Sequence, residues 1–270
     1  DGYRALRNYY VRYLNIAKEN KFNFILETPT WRANPDWVEK VGYGRSATTE
    51  INQNAARLME DLKQEFSSDI DRIFISGCIG PRGDGYQPDA NMSAEEAHAY
   101  HSEQIQAFRE VPVDLISAIT MTNVEEATGV ALAANESNLP VVISFTVELD
   151  GSLPSGASLR QAIESVDSNV ETPPIYYMIN CAHPEHFFDV LDVAKDQPWT
   201  ARIKGLRSNA SKKSHAELDE STELDRGDLH EFGARHKRLA DIFSNLSVFG
   251  GCCGTDDEHV LEIAKAIRSH

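Results

Sequence analysis

The sequence predicts an α/β fold: a (β/α)8 barrel in a single domain, residues 1–270, that lacks its first strand. Helical and strand patterns alternate along the whole chain, which favours parallel strands joined by crossover helices. The patterns amount to eight helices and seven strands, and the first is a helix. No linker or internal repeat divides the chain. Eight βα units without the first strand explain this count, and an open doubly wound sheet is the alternative.

The helices are predicted from apolar residues at helical spacing and from their capping residues. Ser93 and Glu96 form a capping-box pattern, Asn123 is an N-cap, and Pro184 occupies a first turn. Thr255 or Asp256 caps the last helix. The predicted helices span 3–20, 48–66, 93–109, 123–137, 158–166, 184–195, 229–243 and 257–268.

The strands are short apolar runs rich in β-branched and aromatic residues. They span 22–28, 72–79, 113–120, 140–147, 175–180, 201–206 and 246–250. Closing the barrel would require a strand upstream of Asp1, because two neighbouring strands otherwise present unpaired edges. The connections 80–92 and 207–228 are unusually long, and both follow strand ends, where barrel enzymes place their sites.

Composition excludes several classes of function. Lys and Arg number 26 and Asp and Glu 42, so the net charge is −16, which opposes binding to nucleic acid or to an anionic membrane. Apolar runs reach about eight residues, far short of the roughly 20 that span a bilayer, and the first residues do not form a signal peptide. We expect a cytoplasmic protein that acts on small molecules and is a possible homo-oligomer.

Three of the four cysteines directly follow strands. Cys181 follows strand 175–180, and Cys252 and Cys253 follow strand 246–250. The carboxyl ends of parallel strands share one face, so the three thiols can converge, with Gly250, Gly251 and Gly254 giving the backbone freedom to turn. Three thiolates suit Zn²⁺ and leave a fourth position open, as in catalytic zinc sites.

Other interpretations of the cysteines stay open at this point. Any of the three could be buried as a small apolar residue, and the adjacent pair Cys252–Cys253 could be a redox dithiol. Cys78 lies within a strand and is predicted to be packing.

Several segments together resemble the zinc-dependent homocysteine S-methyltransferases. The cysteine motifs are NC at 180–181 and GGCCGT at 250–255, and further matches are ETPTWRAN, SGCIGPRGD, DLISAITMTNVEEA and SFTVELDGSLPSG. The resemblance covers nearly the whole chain. It implies a TIM barrel, Cys181, Cys252 and Cys253 as zinc ligands, and no histidine ligand, so His183, His186 and His259 are interpreted as helix-face residues.

The chain departs from the family pattern at two places. The family's first strand carries an Asp-Gly-Gly motif, and Asp1-Gly2 is not that motif because a helix starts there. The family's fourth strand ends on a triplet such as Phe-Glu-Thr, whose Glu is associated with the substrate ammonium. Ile119 replaces that Glu and cannot accept a hydrogen bond, which puts homocysteine as the acceptor in question.

Substrate contacts are expected from the end of strand 22–28. Glu27, Thr28 and Trp31 are the candidates there, and Glu27 could pair with an amino-acid ammonium in place of Ile119. The alternative is a structural ion pair of Glu27 with Arg32 or another nearby base. Aromatic residues that could face a cationic methyl donor are Trp31, Trp37, Tyr43 and Tyr86.

The resemblance implies methyl transfer from a cationic donor to a thiol such as homocysteine, giving methionine. The chain contains no cobalamin or folate module, so a sulfonium or betaine-type donor is expected. Two alternatives remain: a zinc-binding barrel with a changed acceptor or no activity, and a dithiol redox protein.

Overall fold

The computed structural model describes residues 2–83, 85 and 92–268. Its seven strands are β1 Phe24–Glu27, β2 Ile73–Ile79, β3 Leu115–Met121, β4 Val141–Thr146, β5 Tyr176–Asn180, β6 Ile203–Ser208 and β7 Val248–Gly251. Its ten α-helices are α1 Gly2–Asn20, α2 Pro35–Lys40, α3 Ala47–Phe66, α4 Ala94–Ala107, α5 Val124–Glu136, α6 Leu159–Asn169, α7 Pro184–Val193, α8 His215–Asp219, α9 Leu229–Ile242 and α10 Asp257–Arg268.

The strands form one parallel sheet in sequence order, from β1 to β7. This order confirms the predicted barrel-type architecture and shows that the open doubly wound alternative was wrong, since that fold reverses its strand order. The sheet curls into an incomplete barrel. Within the described ranges, no ladder joins β7 to β1, so these two strands are its edges.

Two apolar layers hold the barrel together. Outside the sheet, the strands pack against the helices around fully buried aromatic side chains such as Phe108, Phe145 and Phe187. Inside, a smaller cluster fills the barrel, consisting of Cys78, Leu115, Ile119, Val142 and Met178. Because inward and outward residues alternate along a strand, this cluster forms the floor beneath the strands' carboxyl ends.

The capping signals in the sequence are confirmed. Ser93 and Glu96 make both hydrogen bonds of the capping box, and the side chain of Asn123 accepts from the Glu126 amide. Pro184 lies in the first turn of α7. Of the two residues predicted to cap α10, Asp256 makes the cap, because its carboxylate accepts from the amides of Glu258 and His259.

The predicted elements differ from the structure mainly at their ends and in the long connections. Strand β6 runs to Ser208, so Arg207, predicted to open a loop, is a strand residue paired with Asn180 and Gly250. The connection that follows contains the short helix α8, which a Ser214–Glu217 capping box stabilises. In the part of the chain that the structure describes, no helix is long and apolar enough to cross a membrane.

Candidate metal and active site

The three cysteines predicted to converge do so at the carboxyl ends of β5 and β7. Cys181 follows β5 and is buried, Cys252 is half-buried, and Cys253 is exposed. Their sulfur atoms all lie within 4.8 Å of one another. The parallel sheet brings them together although 71 residues separate Cys181 from Cys252.

Special backbone conformations aim these thiols at one point. Cys181 has a φ of +52°, a left-handed conformation that turns its side chain out of the strand direction. Gly254 has a φ of +77° just after the cysteine pair. At Gly251 a Cβ atom would come within 2.7 Å of the Thr255 Cβ. The glycines at 251 and 254 therefore permit the turn that presents Cys252 and Cys253.

The donor set fits a tetrahedral thiophilic metal. Sulfurs bound at about 2.3 Å to a tetrahedral zinc lie about 3.8 Å apart, and the Cys181 and Cys253 sulfurs are 3.9 Å apart. The sulfurs of Cys181 and Cys252 are in direct contact, as in a disulfide-bonded pair. With that pair reduced, three thiols at one point can hold a metal ion and leave one position free.

Asn209 ties the two cysteine segments together. Its side-chain amide donates to the Cys181 carbonyl oxygen over 3.0 Å, and its side-chain oxygen accepts from the Cys253 amide over 3.1 Å. A second bond to the Cys181 carbonyl comes from Nε2 of His215, in helix α8, at 2.7 Å. The long connection after β6 therefore holds the main chain around the thiols.

A buried histidine supports Cys252 from behind. The Cys252 amide donates to the Ser208 carbonyl oxygen, and the Ser208 hydroxyl lies 3.0 Å from Nε2 of His236. Nδ1 of His236 lies 2.8 Å from the Phe232 carbonyl oxygen, to which it donates. Burial lowers the pKa of His236 to about 4, and its bond to that carbonyl opposes the shift only in part. His236 is therefore neutral near pH 7 and accepts a hydrogen bond from Ser208.

Acidification is expected to destabilise the fold through His236. An unfolded histidine takes up a proton near pH 6.5, whereas folded His236 does so only near pH 4. Between those values the free energy of unfolding contributed by this group falls by about 1.4 kcal/mol for each pH unit. Urea unfolding at pH 7, 6 and 5 measures the slope, which His236→Gln should reduce. His230→Gln, at a 95% exposed side chain, is the control and should keep it. Equal slopes in both variants would contradict this assignment.

A chain of hydrogen bonds inside the barrel ends at Cys181. The Ser144 hydroxyl donates to Oδ1 of Asn180 over 2.6 Å, and Nδ2 of Asn180 donates to the Thr120 hydroxyl over 2.8 Å. Thr120 lies in a bulge between β3 and β4 with a φ of +70°, and its hydroxyl is 3.9 Å from the Cys181 sulfur. The Thr120 hydroxyl is therefore placed to donate a hydrogen bond to that sulfur.

Comparison with known proteins identifies the architecture around these thiols. A model of the homocysteine S-methyltransferase family matches residues 4–267. The chain belongs to this family. It is thereby an enzyme of the methyltransferase class.

This member of the homocysteine S-methyltransferase family has relatives that are distant from it in sequence and similar to it in fold. Homocysteine S-methyltransferase 4 from Zea mays is 21% identical over 284 residues, covering 97% of this chain and 79% of that protein. Two crystal structures of the homocysteine methyltransferase MmuM from Escherichia coli are similar throughout. The metallated form has a TM-score of 0.73 at 16% identity, covering 94% of this chain and 83% of that one. The oxidized form has a TM-score of 0.76 at 17% identity, covering 97% and 84%.

The residues predicted to contact substrate lie on the inner face of β1 and just beyond it. Glu27 makes an ion pair with Arg207 of β6, not with the Arg32 considered from the sequence. The Thr28 hydroxyl accepts from the Cys78 amide over 2.9 Å and bonds to the Thr30 hydroxyl. Thr28 therefore anchors β1 to β2, while Glu27 and Thr28 both line the barrel cavity.

The aromatic candidates separate into two groups. Nε1 of Trp31 donates to the Ile119 carbonyl oxygen over 2.9 Å, and the ring packs against the interior cluster close to Gly85. Trp37 lies on α2, where the Arg32 guanidinium is 4.4 Å from its ring centre, and Tyr43 is exposed. Tyr86 lies outside the described residues. Trp31 is therefore the described aromatic candidate that borders the barrel interior.

The remaining predictions concern histidines and Cys78. The structure places no histidine in the described three-cysteine cluster. His183 is the N-cap of α7, accepting from the Glu185 amide, and burial lowers its pKa to about 3, with nearby Arg235 adding to the shift. His186 and His259 contact main-chain carbonyl oxygens in the region after β6. Cys78 is buried in the barrel interior, where loss of hydration raises its pKa, and packs as predicted.

Sequence reasoning missed Asn209, Thr120, Asn180 and Arg207. Each is a polar residue at or just beyond the carboxyl end of a strand, the face where barrel enzymes place their sites, and this position could have singled them out. Their partners could not be found in that way, because each contact joins different strands or loops.

Proposed function

We propose that this chain is a zinc-dependent S-methyltransferase that moves a methyl group from a sulfonium or betaine-type donor to a thiol such as homocysteine, giving methionine. The observation that carries the proposal is the convergence of the Cys181, Cys252 and Cys253 sulfurs within 4.8 Å at the strands' carboxyl ends. Family membership supports methyl transfer, and the continuous sheet supports residues 1–270 acting as one domain.

The three thiolates would hold the metal, and the protein positions the reactants around it. When bound there, zinc would lower the pKa of a substrate thiol and leave its sulfur nucleophilic. Asn209 and His215 fix the Cys181 main chain, and the Thr120 hydroxyl supports its sulfur. Orientation of the reactants by such fixed contacts is the chain's main contribution to rate.

The chemical step exchanges one bond to the methyl carbon for another. The acceptor thiol loses its proton to solvent, and its sulfur forms a bond to the donor's methyl carbon in line with the bond that breaks. The electron pair of the broken bond leaves with the donor's sulfur or nitrogen, as a neutral thioether or amine. The transfer of a methyl group in this way needs no side chain to act as a base at the methyl carbon.

A changed acceptor is the second candidate function, and Ile119 is the observation that favours it. Its side chain is 5% exposed and packs in the barrel interior with Leu115 and Val142, at the position where the family pattern has a glutamate. An acceptor thiol without an ammonium group would lose no ion pair or hydrogen bond where Ile119 replaces that glutamate. The same site and the same metal would then serve a simpler thiol.

One screen distinguishes these functions. The purified protein is assayed for zinc by mass spectrometry and for methyl transfer from dimethylsulfonium and betaine-type donors to several thiols. We expect about one zinc per chain and methylation of homocysteine. Methylation of simple thiols with no preference for homocysteine would establish the changed acceptor. Zinc at full occupancy with no methyl transfer from any donor would contradict both functions.

A further inference from the structure

An ion pair lies inside the barrel directly below the cysteine cluster. Arg207 and Glu27 come from β6 and β1, which are separated in the described sheet by β7 and the open edge between β7 and β1. Their side chains are only 29% and 18% exposed. Arg207 is paired in register with Asn180, the residue before Cys181, and with Gly250, two residues before Cys252. Both charges therefore lie in the strand layer next to the thiols.

The guanidinium of Arg207 has unused hydrogen-bonding capacity. It carries five N–H donors, and among the described residues its one side-chain hydrogen bond runs from Nη1 to Oε2 of Glu27. Oε1 of Glu27 accepts no hydrogen bond from the described protein. Both side chains are partly exposed to the cavity, so these remaining N–H groups and Oε1 are open to water or to a ligand.

The cavity beside this pair suits a small amino acid. Its volume is about 640 Å³, within the range of ligand pockets. Arg207 and Glu27 line it together with Cys252, so one molecule can reach both the charged pair and the metal site. The other side chains around it are mostly aromatic or apolar, such as Tyr10, Tyr176 and Met178, and offer few competing charges.

Arg207 keeps its positive charge in this environment. Burial alone would lower its pKa, but the attraction of Glu27 more than offsets this, and the pKa lies above the ordinary arginine value. Glu27 in turn is held close to a permanent cation. The two charges therefore balance each other when the cavity contains only water.

We propose that Arg207 and Glu27 are the residues that select an amino-acid thiol as acceptor, Arg207 binding its α-carboxylate and Glu27 its α-ammonium. A zwitterion replaces one ion pair by two, so no buried charge is left alone. The planar guanidinium can bind a carboxylate through two parallel hydrogen bonds. Glu27 supplies the ammonium partner that Ile119 cannot. This inference rests on the proposed function for the identity of the thiol but not for the binding of the charged groups.

Matched thiols test each charge separately. Homocysteine carries both groups, 4-sulfanylbutanoate only the carboxylate, 3-aminopropane-1-thiol only the ammonium, and propane-1-thiol neither. Arg207→Met should raise KM about ten- to a hundredfold for the first two, the effect of losing a charge-assisted hydrogen bond, and leave the last two nearly unchanged. Glu27→Gln should raise KM for homocysteine and the aminothiol instead. In both variants kcat should change less than KM.

Each single substitution leaves the other charge without its partner, which by itself affects KM. A double variant avoids this effect. Arg207→Met with Glu27→Gln removes both charges and should abolish the preference for homocysteine over propane-1-thiol. Its control is Arg202→Met with Asp167→Asn, because that pair has similar exposures of 30% and 27% and binds at the opposite end of β6. The control should keep the preference of the unmodified protein. Equal KM increases for all four thiols, or an unchanged KM for homocysteine in all Arg207 and Glu27 variants, would overturn the proposal.

Direct binding separates this inference from the proposed function. L-Methionine carries both charged groups without a thiol, so its binding to the zinc-free protein is measured by calorimetry. Arg207→Met and Glu27→Gln should each weaken binding about tenfold or more, and the Arg202 and Asp167 control should not. If no thiol is methylated but these losses are seen, the proposed function fails and the recognition pair stands. If methionine binds all variants equally, the recognition pair fails.

Discussion

Replacing Cys252 by alanine is expected to reduce bound zinc from about one ion per chain to near zero and methyl transfer by more than about 100-fold. Loss of residues that only support a metal ligand costs 10- to 100-fold, so loss of a ligand should cost at least as much. The fold should persist, because the interior cluster and the outer helix layer do not involve Cys252. Zinc content by mass spectrometry and folding by circular dichroism measure the two effects.

Cys78→Ala is the matched control for this experiment. Cys78 lies in the same barrel and is buried, but it is not part of the three-sulfur cluster. This variant should retain zinc and lose only packing energy. Full zinc occupancy in a protein carrying both Cys181→Ala and Cys252→Ala would show that the metal binds elsewhere and end the proposal.

Asn209→Ala is expected to weaken zinc binding by about 10- to 100-fold, as loss of other residues that orient metal ligands does. The Asn209 side chain is 1% exposed and joins the Cys181 carbonyl to the Cys253 amide. Without it, the two ligand segments lose their shared link and a buried carbonyl and amide lose a partner. Competition with a chelator of known affinity measures the change. Asn209→Asp keeps the acceptor for the Cys253 amide. Its zinc affinity should lie between that of the unmodified protein and that of Asn209→Ala.

Asn245 provides the control for Asn209. It also bridges main-chain groups through its side-chain amide, donating to the carbonyl oxygens of Thr200 and Ile203 at the opposite end of β6. Asn245→Ala should lower the unfolding midpoint and leave zinc affinity unchanged. If both variants lose zinc to the same extent, the effect of Asn209 is one of general stability and not of ligand positioning.

The sequence by itself predicted the barrel-type architecture of this protein and the convergence of three cysteines at one face of it. Alternating strand and helix patterns require crossover connections, and such connections place all strand ends of one kind on one face. Cysteines that follow two such strands must then lie on that face. This conclusion does not depend on the exact residue at which each strand ends. The same reasoning predicted the caps at Ser93 and Asn123, because capping is a local property of a few consecutive residues.

The tertiary structure alone decided which polar groups meet around the thiols. Glu27 and Arg207 are 180 positions apart, and their pairing depends on the curvature of the whole sheet and on the open edge between β7 and β1. The links from Asn209 to Cys181 and Cys253 likewise depend on a loop returning to two strand ends. Periodicity records which side of an element is buried, but not the partner it is buried against. Partners across a barrel follow from strand register and loop path, which are set by the packing of the complete fold.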